Sequence, residues 1–166
     1  KGINYASYIG HSALRMTVMG ERALSETADE ADLAAMAQAV REALRAGAVG
    51  FSTSRATTHV TPDGSPVASR IADWSELDHL VGVMAKMGAG IFQIGPDVSG
   101  GAAQRAFLER LAQLADKIRR PVMFGIFSLR QGAEPITWQE QVHYLERAAT
   151  AGIPMWGQAT TRPISA

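Results

Sequence analysis

Residues 91–127 read IFQIGPDVSGGAAQRAFLERLAQLADKIRRPVMFGIF, and this stretch decides the fold. Ile91-Phe92-Gln93-Ile94 is a short apolar run of the kind a covered strand uses. Gly95-Pro96-Asp97 and a glycine-rich turn follow it. From residue 102 to 118, Phe107, Leu108, Leu111, Leu114 and Ile118 fall on one side of a helix. Pro121 bars continuation of that helix, and a second apolar run over 122–127 begins at once. A strand, a polar exit, an amphipathic helix and an abrupt return make a βαβ unit. Such units build parallel sheets whose chemistry gathers at the carboxyl ends of the strands.

The same beat extends in both directions. Thr137 and Glu140 have the spacing of a capping box, and Trp138, Val142, Leu145 and Ala149 supply a helix face. Gly152 stops that helix, and 153–156 reads as a further strand. Towards the amino terminus, Asp73-Trp74-Ser75-Glu76 starts a helix with Leu77, Leu80, Val81 and Met84 on its face, closed by Gly88 and Gly90. Thr27 and Glu30 predict another capping box, followed by Leu33, Met36, Val40 and Leu44, with Gly47 where a left-handed cap belongs. Strands are expected over 4–9 and 49–51, the second leaving through Ser52-Thr53-Ser54-Arg55. Residues 56–72 form a long connection centred on the turn chemistry of Thr61-Pro62-Asp63-Gly64, and a small hairpin flap is expected there. The last three strands begin at Ile91, Val122 and Ile153, a repeat of about 31 residues, close to one βαβ unit.

Composition excludes several classes. The 166 residues are 46% apolar and 19% charged, the balance of a globular domain. Sixteen basic and sixteen acidic residues cancel, so neither nucleic acid nor an anionic membrane is indicated as a partner. There is no cysteine, hence no disulfide and no thiolate metal ligand in this stretch. No apolar run approaches the ~20 residues of a membrane span, and no signal-peptide pattern is present; a cytoplasmic location is the expectation.

About five strands and four helices suit two architectures. One is an open, doubly wound five-stranded sheet, acting as a module that binds a small carboxylate without catalysis. The other is part of a TIM-like (β/α)8 barrel, which needs ~250 residues. Short helix-to-strand links, long polar strand-to-helix links and a chain that starts and stops in mid-rhythm favour a central portion of a barrel, with residues 1–166 as a single segment.

Several residues at the strand exits have the chemistry of a site. His11 follows the first strand; it reads either as a contact to substrate or metal centre or as a hydrogen-bonded residue shaping the turn. His59 lies in the flap, within reach of a ligand if the flap closes. Arg15, Arg55, Arg130 and Arg162 all follow strands, and Arg70 ends the flap; guanidinium forks at one face suit an anionic small molecule. Arg55 stands out, because Ser52 and Ser54 beside it add donors. No Gly-x-Ser-x-Gly elbow surrounds those serines, and Gly101-Ala102 stands where a phosphate loop needs Lys-Ser/Thr. His79 and His143 are expected to face solvent, and Asp97 to serve a turn.

Tyr8-Ile9-Gly10-His11-Ser12-Ala13-Leu14-Arg15 followed by Met19-Gly20 resembles a segment of the N-acyl-D-amino-acid deacylases (D-aminoacylases) of the amidohydrolase superfamily, where it runs Gly-His-Gly-(Thr/Ser)-Leu-Arg, then Met-Gly. Ala43-Leu44-Arg45-Ala46-Gly47-Ala48, the run Val49-Gly50-Phe51-Ser52-Thr53-Ser54-Arg55, His59, Asp63-Gly64, Val67, Arg120-Pro121-Val122 and Arg162-Pro163-Ile164 continue the likeness in order. The resemblance implies zinc-dependent hydrolysis of the amide of an N-acyl amino acid, whose carboxylate is the anion, with this segment inside the catalytic barrel among the parent chain's remaining strands. His11, Arg15, Ser52, Ser54, Arg55, His59, Arg130 and Arg162 are then the expected substrate contacts. The family's first histidine pair, its cysteine ligand and its catalytic Asp would lie outside these residues. Many members also carry a ligand histidine on the strand matching 122–127, where this sequence has none, so the segment is expected to supply no metal ligand.

Overall fold

A computed structural model describes residues 2–3, 5–96, 101–126 and 136–159. Five strands form one sheet: β1 (Tyr8–Gly10), β2 (Gly50–Ser54), β3 (Ile91–Gly95), β4 (Val122–Gly125) and β5 (Met155–Gln158). Every pair is parallel, and the order in space is the order in sequence. That order decides between the two expected architectures. A doubly wound sheet reverses direction at a switch point so that helices cover both faces. Here no reversal occurs, and right-handed crossovers therefore put the helices on one face. The sheet is a stretch of barrel wall, and the open doubly wound alternative falls.

Six helices accompany the strands among the described residues: α1 (His11–Met19), α2 (Glu30–Arg45), α3 (Ala68–Ile71), α4 (Trp74–Met87), α5 (Gly101–Ile118) and α6 (Trp138–Thr150). The expected four are α2, α4, α5 and α6. Helix α1 replaces what the sequence suggests is a polar loop, and a 3-10 turn, Gly20–Leu24, follows it. The caps explain the boundaries. Asp73 Oδ1 accepts from the Glu76 amide at 2.9 Å, and Thr137 and Glu140 close their box at 3.1 and 2.9 Å. For α2 the box is not Thr27 with Glu30 but Asp29 with Asp32, at 2.8 and 3.2 Å. Asp32 is preferred because its carboxylate also accepts two hydrogen bonds from Arg22, each at 2.9 Å. Gly88, with φ of 61°, ends α4 in the left-handed cap that favours glycine.

The period-two alternation of the strands sorts their side chains. Phe51, Phe92, Ile94, Val122, Phe124 and Met155 point to the helices and are buried. Phe51 and Phe92 stack at 6.0 Å between ring centroids. Met36 and Val40 of α2, Leu77, Leu80 and Met84 of α4, and Leu108 and Leu111 of α5 complete that core; each such side chain contributes about 1.5–3 kcal/mol by leaving water. Trp138 and Ala149, read from the sequence as the inner face of α6, are instead exposed. On the opposite, inner face of the sheet, Gly10, Ser52, Gln93, Met123 and Trp156 stand side by side in register. Gly50 on that face is required by contact: a Cβ there would lie 1.9 Å from the Ile91 carbonyl oxygen.

Candidate substrate cleft

The strand exits are where a parallel sheet places its chemistry, and a cleft of about 550 Å³ lies at the ends of β1, β2 and β3. Ser52, Ser54, Gln93 and Gly95 form its strand wall, Ser12 of α1 and Ser69 of α3 one end, and residues 58–60 its rim. The rim belongs to the 56–72 connection, in which Val60 and Pro66 make an antiparallel bridge. Asp63 organises the turn: its carboxylate accepts from the Thr61 and Ser65 hydroxyls, and the Thr61 bond above all holds its pKa below the usual carboxylate range. Two hydrogen bonds fasten the base of this connection to the wall. The Ser69 amide donates to Ser12 Oγ at 3.0 Å, and Ser69 Oγ donates to the Ser54 carbonyl at 3.2 Å.

Behind the wall, on the helix side, sits a buried polar cluster. His11, Arg15 and Glu76 are 1%, 0% and 3% exposed. His11 Nε2 lies 2.6 Å from Glu76 Oε1, and Nδ1 lies 2.8 Å from Thr53 Oγ1. Its ring meets Phe51 edge-on at 5.2 Å. Arg15 donates to the other Glu76 oxygen and to the carbonyls of Ala23 and Glu26, at 3.3 and 2.6 Å. Burial pushes the His11 pKa down, outweighing the pull of Glu76. Burial also opposes ionisation of Glu76, yet the hydrogen bonds from His11 and Arg15 overcome it and bring that pKa below its usual value. The state is therefore a neutral imidazole between a hydroxyl and a carboxylate. Nε2–H donates to Glu76, and Nδ1 accepts from the Thr53 hydroxyl.

The expected contacts divide accordingly. Ser52, Ser54, His59 and His11 all line the cleft, His11 with both ring nitrogens already engaged. Arg15 is wholly inside the cluster. Arg55 turns away from the cleft: its guanidinium donates to the Ala72 carbonyl and lies 5.8 Å from the Trp74 ring centroid, with Arg110 at 5.3 Å from the same ring. Arg70 donates to the Thr57 and His59 carbonyls, both at 3.2 Å. Arg130 and Arg162 lie outside the described residues, as do Asp97 and the end of the expected strand over 122–127. His79 is exposed, and His143 is exposed and pairs with Glu146 at 2.9 Å. Three residues of this site escaped the sequence reading. Glu76 looks only like a helix-capping partner, Thr53 like one more hydroxyl, and Gln93 like a strand filler; its one signal is a polar residue on the same strand face as Ser52.

Zinc requires three or four converging nitrogen, sulfur or carboxylate ligands. Among the described residues no three such side chains come together, and His11 and Glu76 are occupied by each other, Thr53 and Arg15. This set does not fit a metal ion.

No protein-family model matches the chain. Among solved structures, N-acyl-D-glutamate deacylase from Bordetella bronchiseptica superposes on 97% of this chain with a TM-score of 0.75 and 21% identity. The fold is that of the D-aminoacylases. That deacylase is complexed with zinc and a phosphonate inhibitor that mimics the tetrahedral intermediate. A D-aminoacylase with a binuclear metal centre matches 96% of this chain with a TM-score of 0.73 and 23% identity. The chain spans 31% of the length of each. In sequence, N-acyl-D-glutamate deacylase of Alcaligenes xylosoxydans xylosoxydans is 40% identical over 87 residues, 52% of this chain and 16% of that protein. An uncharacterized Mycobacterium tuberculosis protein is 40% identical over 105 residues, 58% of this chain and 17% of that protein. The five parallel strands thus match part of an amidohydrolase barrel. No helix among the described residues is long and apolar enough to cross a membrane.

Proposed function

We propose that residues 1–166 are one segment from the central part of the catalytic barrel of a cytoplasmic, metal-dependent amidohydrolase that hydrolyses N-acyl-D-amino acids or related amides. Residues 56–72 form its flap, and the segment's role is to contact substrate. One observation carries this reading: nearly the whole chain superposes on a deacylase that holds zinc and a reaction-intermediate mimic, and the cleft lies at the strand ends where such barrels work. The open sheet supports it too. Trp156 on the inner face is 51% exposed, and strand edges and apolar inner surface of this kind call for covering strands. The parent chain's remaining strands are the covering partner, and they carry the zinc ligands in this reading; among the described residues of the segment no three candidate ligands come together.

The test uses the full-length protein. Incubation with N-acyl-D-amino acids is expected to release the free amino acid. Complete removal of metal by a chelator is expected to abolish the release, and zinc to restore it. Failure to hydrolyse any such amide rejects the reaction, and full activity after complete metal removal rejects the metal-dependent route.

A further inference from the structure

The cleft at the ends of β1–β3 has chemistry that the reaction class does not specify. Among the described residues, no Asp, Glu, Lys or Arg lines it. The three described arginines nearest the strand exits are committed elsewhere: Arg15 to Glu76, Arg55 to the Ala72 carbonyl and Trp74, Arg70 to the Thr57 and His59 carbonyls. Ser52 and Gln93, by contrast, are paired in register on neighbouring strands and face the cleft. Their hydroxyl and carboxamide engage no other described residue. Gly10 beside Ser52 and Gly95 beyond Gln93 keep the approach open.

We infer that Ser52 and Gln93 hold the neutral acyl-amide group of the substrate, and that its carboxylate is bound elsewhere; the identity of the substrate rests on the reading above. A carboxylate entering this wall gives up water and meets no lysine or arginine among the described residues, which is unfavourable. An amide offers one carbonyl acceptor and one N–H donor. A carboxamide and a hydroxyl together supply the complementary donors and acceptors. This wall therefore recognises the part common to all N-acyl amino acids rather than the part that makes them anionic.

The test compares two probes that share the acetamido group and differ in charge, N-acetyl-D-methionine and N-acetyl-D-methioninamide. Binding to the full-length protein is measured by calorimetry as Kd, or as KM where the probe is turned over. Ser52→Ala and Gln93→Leu are each expected to weaken both probes by about tenfold, the loss of one hydrogen bond, and by the same factor for the two. Gln93→Asn keeps a carboxamide but withdraws it by one methylene. It gives the same expectation in a variant of nearly unchanged volume and polarity, and circular dichroism checks that all three are folded. Weakening confined to the acid overturns the assignment, because the wall would then hold the carboxylate. Unchanged affinity for both probes overturns it as well, as does failure of the unmodified protein to bind either. Hydrolysis with unchanged KM in the variants rejects this assignment and keeps the reaction. Parallel losses of affinity without hydrolysis keep this assignment and reject the reaction.

Discussion

Replacing Glu76 by Gln tests whether the buried cluster holds the first two strands and α4 together. The substitution preserves shape and leaves an oxygen for His11 Nε2–H, now 2.6 Å from Glu76 Oε1. Among the described residues, it removes the only carboxylate paired with Arg15, a side chain with 0% exposure. A guanidinium does not shed its charge at any ordinary pH, so the variant contains a buried cation with no carboxylate partner among the described residues, left to neutral acceptors such as the carbonyls of Ala23 and Glu26. Breaking one side of a buried ion pair costs about 3–5 kcal/mol, a large part of the stability of an ordinary domain. The loss is expected as a lower urea midpoint at unchanged slope in equilibrium unfolding. The double variant Arg15→Met with Glu76→Leu removes both charges and is expected to recover most of it, since apolar replacements of buried pairs are often neutral. Three groups temper the recovery: the carbonyls of Ala23 and Glu26 lose a donor, and His11 loses its acceptor. A Glu76→Gln loss under about 1 kcal/mol, the scale of an exposed pair, would falsify the view that this cluster is a buried ionic tie. So would a double variant no more stable than the single one.

Two further outcomes are expected. His11 and Glu76 both have folded-state pKa values below their usual ones, so the unfolded chain binds more protons and acid destabilises. His11 contributes fully above its unfolded value of about 6.5 and loses that contribution as pH falls towards its folded pKa; Glu76 contributes above about 4.5 and is lost lower still. Urea midpoints from pH 7.5 down to pH 5 should therefore fall more steeply for the unmodified protein than for His11→Gln, and equal slopes would refute the neutral-histidine assignment. In Gly50→Ala the new methyl would sit 1.9 Å from the Ile91 carbonyl oxygen and 2.6 Å from its nitrogen. Backbone cannot swing aside, so β2 and β3 must part, at a cost of about 1–3 kcal/mol; hydrogen exchange should show the β2–β3 amides losing protection ahead of those of β4, and unaltered protection would count against this contact.

The strand-helix beat was legible because period and punctuation agree along most of the chain. Pro121, Gly88 and the capping residues at 73 and 137 set boundaries through local chemistry that any chain obeys. Where the reading slipped, a distant partner had decided. Thr27 with Glu30 and Asp29 with Asp32 are both acceptable boxes; Arg22 selects the second by gripping Asp32. Helix α1 lacks a side-chain cap and has no acidic residue in its first turn. It holds because Leu14 and Arg15 are buried and His11 is tied to Glu76, 65 positions along the chain.

The arginines show a different limit. Their spacing predicts positive charge gathered at one face, but Arg15, Arg55 and Arg70 donate to the backbone carbonyls of Ala23 and Glu26, of Ala72, and of Thr57 and His59, Arg15 to Glu76 besides, while Arg130 and Arg162 lie outside the described residues. A carbonyl's direction has no signature in residue identity. The run Ser52-Thr53-Ser54 gives the sharper case. Read as a loop, the three are interchangeable donors beside Arg55. The strand instead runs on to Ser54, and the pleat then sends neighbours to opposite faces. The Thr53 side chain turns to the helices and meets the His11 ring, although the residue also borders the cleft, while Ser52 and Ser54 lie on the cleft side. Three similar side chains are divided between the two faces of the sheet by where the strand ends, and a boundary error of three residues is enough to hide that division.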